Sequence, residues 1–343
     1  MLKEILLTHN DMDGAGCRII FEVAHANCAK GYDYDVVNCA NGSIDEDTMN
    51  AIARSDVDTN TEIFFADICA HEPVLKDLIA KGYKIKVFDH HQTNVPLLEL
   101  NPSWVIKVKN DLGQMYCGTS LLYQYYSQTA LIFPSDNRLV YFRSVGNDRL
   151  LAELVENIRL YDTWEWKRNN IILPKDLHTL YFLLGMDNFC YRFISRIQDK
   201  GSGGNLILNT DWEFINAKTD YESKVIQSFS PDKVLNIDVR GLKTAMTLGT
   251  KGASASEVAY NFLKNNPEYD LFINYTLSPK PSYFSLRTIR TNLDIGTDVA
   301  QPIGGGGHEQ AAGVPLRSEV QDEIIDILVK ELNRGYEPTT AQE

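Results

Sequence analysis

Short apolar runs alternating with amphipathic stretches fill the first quarter of the chain, and no other feature restricts the fold so strongly. Ile5-Leu6-Leu7, Tyr34–Asn38, Glu62–Asp67 and Lys84–Phe88 read as strands. Residues 15–27 and Asp45–Arg54 read as helices, and Pro73 fits the first turn of another that runs to Lys81. A parallel partner strand is reached only through a long crossover, so this alternation implies βαβ units and a mostly parallel sheet flanked by helices. Ligands of such sheets bind beyond the carboxyl ends of the strands. The polar residues that follow each strand are therefore the ones that bear on function.

The remainder divides less sharply. From about 118 to 198 the pattern is helical and aromatic-rich, with Tyr123, Tyr125, Tyr126, Trp164, Trp166, Tyr181 and Phe182 reading mostly as core. Gly201-Ser202-Gly203-Gly204 is a break, and 211–229 reads as one connecting helix ending before Pro231. At roughly 100–200 residues per domain, a chain of 343 residues is expected to hold two. The expected fold class is α/β: an N-terminal domain over 1–205, a connecting helix and linker over 206–232, a smaller α/β domain over 233–336 and a frayed tail over 337–343. A content of 44% apolar and 23% charged residues excludes a disordered or fibrous chain. The formal charge of −13 offers no global field for a long polyanion, although a local basic groove is compatible with it. Cys17, Cys28, Cys39, Cys69, Cys117 and Cys190 form no CxxC pair and read as reduced thiols of a cytoplasmic protein. No apolar run reaches the roughly 18–20 residues of a membrane span, and Met1-Leu2-Lys3-Glu4 leads straight into a strand without a signal-peptide pattern.

The first strand runs into His9-Asn10-Asp11-Met12-Asp13-Gly14. His9, Asp11 and Asp13 stand at alternate positions and would project to one side of an extended segment. One imidazole and two carboxylates suit a hard or borderline divalent cation; the same segment also reads as a loop turning a strand into a capped helix. Asp67, at the tip of an apolar strand, is either a helix cap or a ligand. Asp89-His90-His91 offers two imidazoles with a carboxylate to fix a tautomer, against the plainer reading of a surface polar cluster. Three consecutive strand ends with ligand chemistry point to a pair of Mn²⁺, Mg²⁺ or Zn²⁺ ions, which two-metal sites hold about 3.5–4 Å apart. Near the C-terminus, Gly304-Gly305-Gly306-Gly307-His308 could bring backbone N–H groups onto an anion as a phosphate nest, with His308 as a further donor, or could be a plain flexible loop.

In order, His9-x-Asp11-x-Asp13-Gly14, Asp67 and Asp89-His90-His91 resemble the first three motifs of the DHH phosphoesterases. Asp-x-Asp-Gly is also similar to the haloacid-dehalogenase phosphatases, but Ala15 follows where that family continues with Thr or Val, and its later Lys and acidic pair have no convincing counterpart. The fourth DHH motif, an acidic residue on the helical part of the domain, has two candidate segments. They are Val145-Gly146-Asn147-Asp148 and Tyr161-Asp162-Thr163-Trp164, with Asp162 preferred. The glycine run resembles the GGGH signature of the DHH-associated substrate domain, and Ser285-Leu286-Arg287-Thr288 resembles that domain's Ser-x-Arg-Ser, with Arg290 nearby.

The resemblance implies a catalytic DHH domain over 1–205 and a substrate-binding domain over 233–336, with the active site in the cleft between them. It implies that His9, Asp11 and Asp67 hold one ion, with Mn²⁺ the first choice. Asp13, Asp67, His90 and Asp162 hold the second, with Asp67 bridging. Asp89 would orient a histidine, His91 would contact the scissile phosphate or leaving oxygen, and Arg287, Gly305, Gly306, Gly307 and His308 would bind substrate. The implied activity is metal-dependent phosphodiester hydrolysis by water attack on phosphorus. The length and acidic balance favour short oligonucleotides or linear or cyclic dinucleotides over long strands. A RecJ-like single-strand exonuclease is the alternative enzyme, and a non-catalytic nucleotide sensor the alternative of another class. The GGGH module argues against the inorganic pyrophosphatase branch. Oligomeric state is not legible, with a homodimer one option.

Overall fold

The computed structural model describes residues 2–26, 32–128, 130–132, 139–141, 145, 148–199, 204–276 and 282–332. The Gly201-Ser202-Gly203 break, Cys28, Gly146, Asn147 and the 337–343 tail lie outside these residues. The chain forms two units, Met1–Lys224 and Val225–Glu343.

Among the described residues of the first unit, the main sheet runs β2(Tyr32–Cys39), β1(Leu2–His9), β3(Glu62–Ala66), β4(Lys84–Asp89) and β5(Val105–Ile106), in that order across the sheet. All its pairs are parallel. Side-chain alternation sends Leu6, Phe64 and Phe88 to one face and Ile5, Leu7, Ile63, Phe65 and Val87 to the other. The first set packs under α1(Met12–Ala26), α4(Gly118–Gln128), α5(Arg149–Asp162) and α7(Leu173–Gln198). The second packs under α2(Ile44–Ile52) and α3(Glu72–Ala80). A short turn, α6(Glu165–Arg168), joins α5 to α7. The helix α7 is interrupted at Gly185, whose φ of 72° is open to glycine at little cost.

The register matters most for function. Thr8 pairs with Ala66 and Ala66 with Phe88, so His9, Asp67 and Asp89 leave the sheet side by side. The α1 helix begins at Met12, three residues before the expected 15, because the Asp11 carboxylate accepts the Gly14 N–H at 2.9 Å and caps it. The expected helical stretch 118–198 also contains a hairpin, β6(Ala130–Ile132) with β7(Leu139–Tyr141). Phe182, expected in the core, is 58% exposed.

The second unit carries a mixed sheet in the order β12(Gly306–His308), β13(Ala311–Pro315), β11(Tyr283–Arg287), β10(Leu271–Thr276), β9(Leu242–Leu248), β8(Leu235–Val239). Its β9–β10 pair is parallel and the others antiparallel. α9(Ala255–Asn265) covers one face through Val258, Phe262 and Leu263, and α10(Ser318–Leu332) follows β13. α8(Trp212–Gln227), where one connecting helix was expected over 211–229, spans the boundary of the two units. No helix among the described residues is long and apolar enough to cross a membrane.

Phe64 is fully buried, with ring centroids of Phe21 and Phe88 at 5.6 and 6.2 Å. Phe64→Ala is expected to cost the first unit about 3–5 kcal/mol, read from the urea midpoint. A loss below about 1 kcal/mol would mean that this face of the sheet is not the packed one.

Candidate metal centre

The carboxyl edge of the sheet brings six of the expected residues into two triads. His9, Asp11 and Asp67 form one, and Asp13, His90 and Asp162 the other, each with ligand atoms within 4.8 Å of one another. In the first, His9 Nδ1 lies 2.8 Å from Asp11 Oδ2 and 3.8 Å from Asp67 Oδ2. In the second, His90 Nε2 lies 3.7 Å from Asp13 Oδ2 and 3.5 Å from Asp162 Oδ2. His90 Nε2 is also 3.2 Å from Asp67 Oδ1, so the two oxygens of Asp67 face the two triads.

Each side chain is placed by a different device. His9 ends β1, and Asp11 caps α1 through Oδ1 while Oδ2 faces His9. Both of the alternative readings of that segment, cap and candidate ligand, thus fall on one carboxylate. Asp13 does not alternate with them along an extended segment. It sits in the first turn of α1, where helix rotation turns it to the α4 N-terminus. There its oxygens accept the N–H groups of Gly118 at 2.6 Å and Thr119 at 2.9 Å, an anion at the positive end of a helix. Asp67 follows β3 with φ 64°, a left-handed conformation that Asp adopts more readily than most residues. A Cβ at Gly118 would lie 2.5 Å from Asp67 Cβ, so only glycine lets the α4 N-terminus come this close. Gly118 and Thr119 were not singled out from sequence; a Gly-Thr pair opening an aromatic helix was the available signal.

Asp89 is fully buried and lies outside both triads. Its Oδ1 accepts from the His90 and His91 amides and from His91 Nδ1 at 2.7 Å, so the histidine it orients is His91. Of the two fourth-motif candidates, Asp162 joins the second triad. Asp148 caps α5, accepting the Leu151 N–H at 2.8 Å.

The electrostatics follow from crowding. Burial and the neighbouring Asp13 and Asp11 push Asp67 and Asp162 well above the usual carboxylate range. Burial also opposes ionisation of Asp11, but His9 and the Gly14 N–H hold it below that range. Asp89 is likewise held low, against burial, by His91. Asp67 Oδ2 and Asp162 Oδ2 are buried without a hydrogen-bond partner. Buried acceptors left unmatched beside like charges fit a site for cations, and the mix of carboxylate and imidazole suits Mn²⁺, Mg²⁺ or Zn²⁺.

In the second unit, Gly306 and Gly307 of the glycine run lie in the edge strand β12, and Gly304 and Gly305 precede it. The Gly304 and Gly305 amides donate to the Gln301 and Ala300 carbonyls, so they are not available to an anion. A Cβ at Gly305 would lie 2.3 Å from the Gly313 oxygen, and this close approach to β13 explains the glycine. Gly306, Gly307 and His308 pair with Gly313, Ala312 and Ala311. Arg287 ends β11, with Nε donating to Ser256 Oγ at 3.0 Å and Nη1 to the Leu286 carbonyl at 2.7 Å. Arg290 is committed to Asp270 at 3.2 Å and to the Pro267 carbonyl.

No protein-family model matches the chain. It is 29% identical over 342 residues to the oligoribonuclease NrnB of Bacillus subtilis (strain 168), covering 96% of this chain and 76% of that protein. Its fold is similar to RecJ of Thermus thermophilus in complex with Mn²⁺, with TM-score 0.51 at 15% identity, covering 98% of this chain and 53% of that one. A pGpG-specific phosphodiesterase of Vibrio cholerae, PggH, is matched at TM-score 0.44 and 15% identity over 96% of this chain and 99% of that one.

The raised Asp67 has a measurable sign. A carboxyl whose folded pKa is raised stabilises the fold at low pH, and that stability is lost as pH rises through its titration. In chelator-treated protein, Asp67→Asn is therefore expected to raise Tm at pH 8, by roughly 2–4 °C per kcal/mol relieved, and to change it little at pH 5. The same variant should lose the Tm increase given by Mn²⁺. An equal destabilisation at both pH values would assign Asp67 a purely structural role.

Proposed function

We propose that the chain is a DHH phosphoesterase, a metal-dependent phosphodiesterase that hydrolyses short oligonucleotides or linear or cyclic dinucleotides, a reading supported by its similarity to an oligoribonuclease. The observation that carries this reading is the placement of Asp67 between the two triads, one oxygen toward each. Two divalent ions bound there would act as Lewis acids on the phosphate and lower the pKa of the attacking water.

His9, Asp11 and Asp67 are proposed to hold one ion, and Asp13, Asp67, His90 and Asp162 the other, with Mn²⁺ the first choice. Four carboxylates with neutral imidazoles would balance two dications, so an anionic phosphate meets no net repulsion at the centre. Asp89 holds the His91 Nδ1 proton and turns Nε2 outward. His91 is partly exposed and is proposed to reach the leaving oxygen through Nε2, donating there as the imidazolium whose charge the Asp89 carboxylate stabilises. Asp89 acts through His91 and is a positioning residue. Arg287 and the β12 strand with His308 are proposed to bind substrate phosphate or terminal groups.

The similarity to an oligoribonuclease supports a short nucleic-acid substrate. Cys17, Cys39, Cys69, Cys117 and Cys190 are buried free thiols, the state that a reducing cytoplasm maintains, and we place the protein there.

A Mn²⁺ hydrolysis panel tests the reading, with a ribodinucleotide, a cyclic dinucleotide, a short RNA, a long single strand and pyrophosphate. Turnover is expected on the short and dinucleotide substrates, and Asp67→Ala should abolish both turnover and metal loading. Preferential, salt-sensitive cleavage of the long strand would favour the RecJ-like exonuclease instead. Tight nucleotide binding without any hydrolysis would leave the sensor.

A further inference from the structure

Asp162 poses a problem of placement. Its Oδ2 has no hydrogen-bond partner, and it is the last residue of α5. Its backbone is fixed by its neighbours. Thr163 Oγ1 donates to the Arg159 carbonyl at 2.8 Å, and Arg168 Nη2 donates to the Thr163 carbonyl at 2.6 Å. Trp164 turns the chain in the left-handed region at φ 60°. Before Asp162, the Tyr161 ring lies parallel to His178 at 4.1 Å and 11°, with Trp166 at 5.8 Å and 10°. His178 comes from α7, a different segment.

The same face of α7 reaches the other triad. Tyr181 stands one turn after His178, with ring centroids 6.2 Å apart. Its hydroxyl donates to the Asn10 carbonyl at 2.9 Å, beside Asp11. Tyr181 also packs edge-on against the buried Phe189 at 5.4 Å, which fixes its ring to the core.

We propose that His178 and Tyr181 are positioning residues of the metal centre: one face of α7 sets the spacing between the Asp11 and Asp162 segments, His178 by stacking on Tyr161 and Tyr181 by holding the Asn10 carbonyl. The proposal rests on the metal-centre reading and adds residues to it. A histidine suits the place because burial pushes its pKa down to about 4, which leaves a flat, uncharged ring at neutral pH. A lysine or arginine there would set a positive charge near the expected cations.

The experiment uses the full chain and measures Mn²⁺ affinity by calorimetry together with kcat and KM on a ribodinucleotide. His178→Ala is expected to weaken Mn²⁺ binding by about 10–100-fold, the usual cost of losing a residue that orients metal ligands. His178→Phe keeps a flat ring against Tyr161 and should restore binding to within about threefold of wild type. Tyr181→Phe should lower Mn²⁺ affinity and kcat while leaving KM nearly unchanged. It keeps the packed ring, so the test stands even if His178→Ala does not fold. Wild-type Mn²⁺ affinity in both His178→Ala and Tyr181→Phe would overturn the proposal, as would a His178→Phe variant as weak as His178→Ala. A wild-type protein that binds no Mn²⁺ at all would instead remove the metal-centre reading on which the proposal rests.

Discussion

Like charges gathered at a partly buried edge repel one another, and the first unit is arranged around that repulsion. Asp11, Asp13, Asp67 and Asp162 meet at one edge of the sheet. Three of them are offset differently, Asp11 by a helix cap and an imidazole, Asp13 by two amides at the start of α4, and Asp67 by His90, while Asp162 Oδ2 is left without a hydrogen-bond partner. Asp89 stands apart with its own set of donors from His90, His91 and Asn94. Residual strain of this kind persists only where the surroundings over-determine the geometry. Here they do so through two apolar clusters packed on opposite faces of one sheet.

The strand ends were legible in the sequence because a parallel sheet leaves little freedom. Once Ile5-Leu6-Leu7, Glu62–Ala66 and Lys84–Phe88 are strands of one sheet, the residues after them emerge along one edge. The ligand-type residues could therefore be named from local pattern. Their mutual placement was less accessible. The spacing of His9, Asp11 and Asp13 suggests an extended segment, but the capping power of Asp11 starts the helix early and carries Asp13 onto it. Asp148 and Asp162 bound the same helix, one just before its start and one at its end. Both are plausible acids locally, and only the tertiary approach of His90 separates them.

Other features were hidden for a different reason. The run Gly304–Gly307 suggested an anion cradle, yet Gly304 and Gly305 turn their amides onto nearby carbonyls, and the room gained at Gly305 goes to the close approach of β13. Tyr181 reads as one more core aromatic, and His178 carries no pattern at all. Their contacts, to Asn10 and Tyr161, depend on how α7 lies across the sheet, which helical spacing does not encode.

The left-handed turn at Asp67 narrows what evolution can try there. Side chains beyond the short carboxylates and amides adopt that backbone poorly, and the α4 backbone at Gly118 presses directly against the Cβ. A glutamate, chemically able to bind the same cation, would have to accept an unfavourable turn and carry an extra methylene at this crowded point. An unvarying aspartate here would record a backbone shape as much as a reaction, and its retention in a relative would not by itself prove that the relative is active.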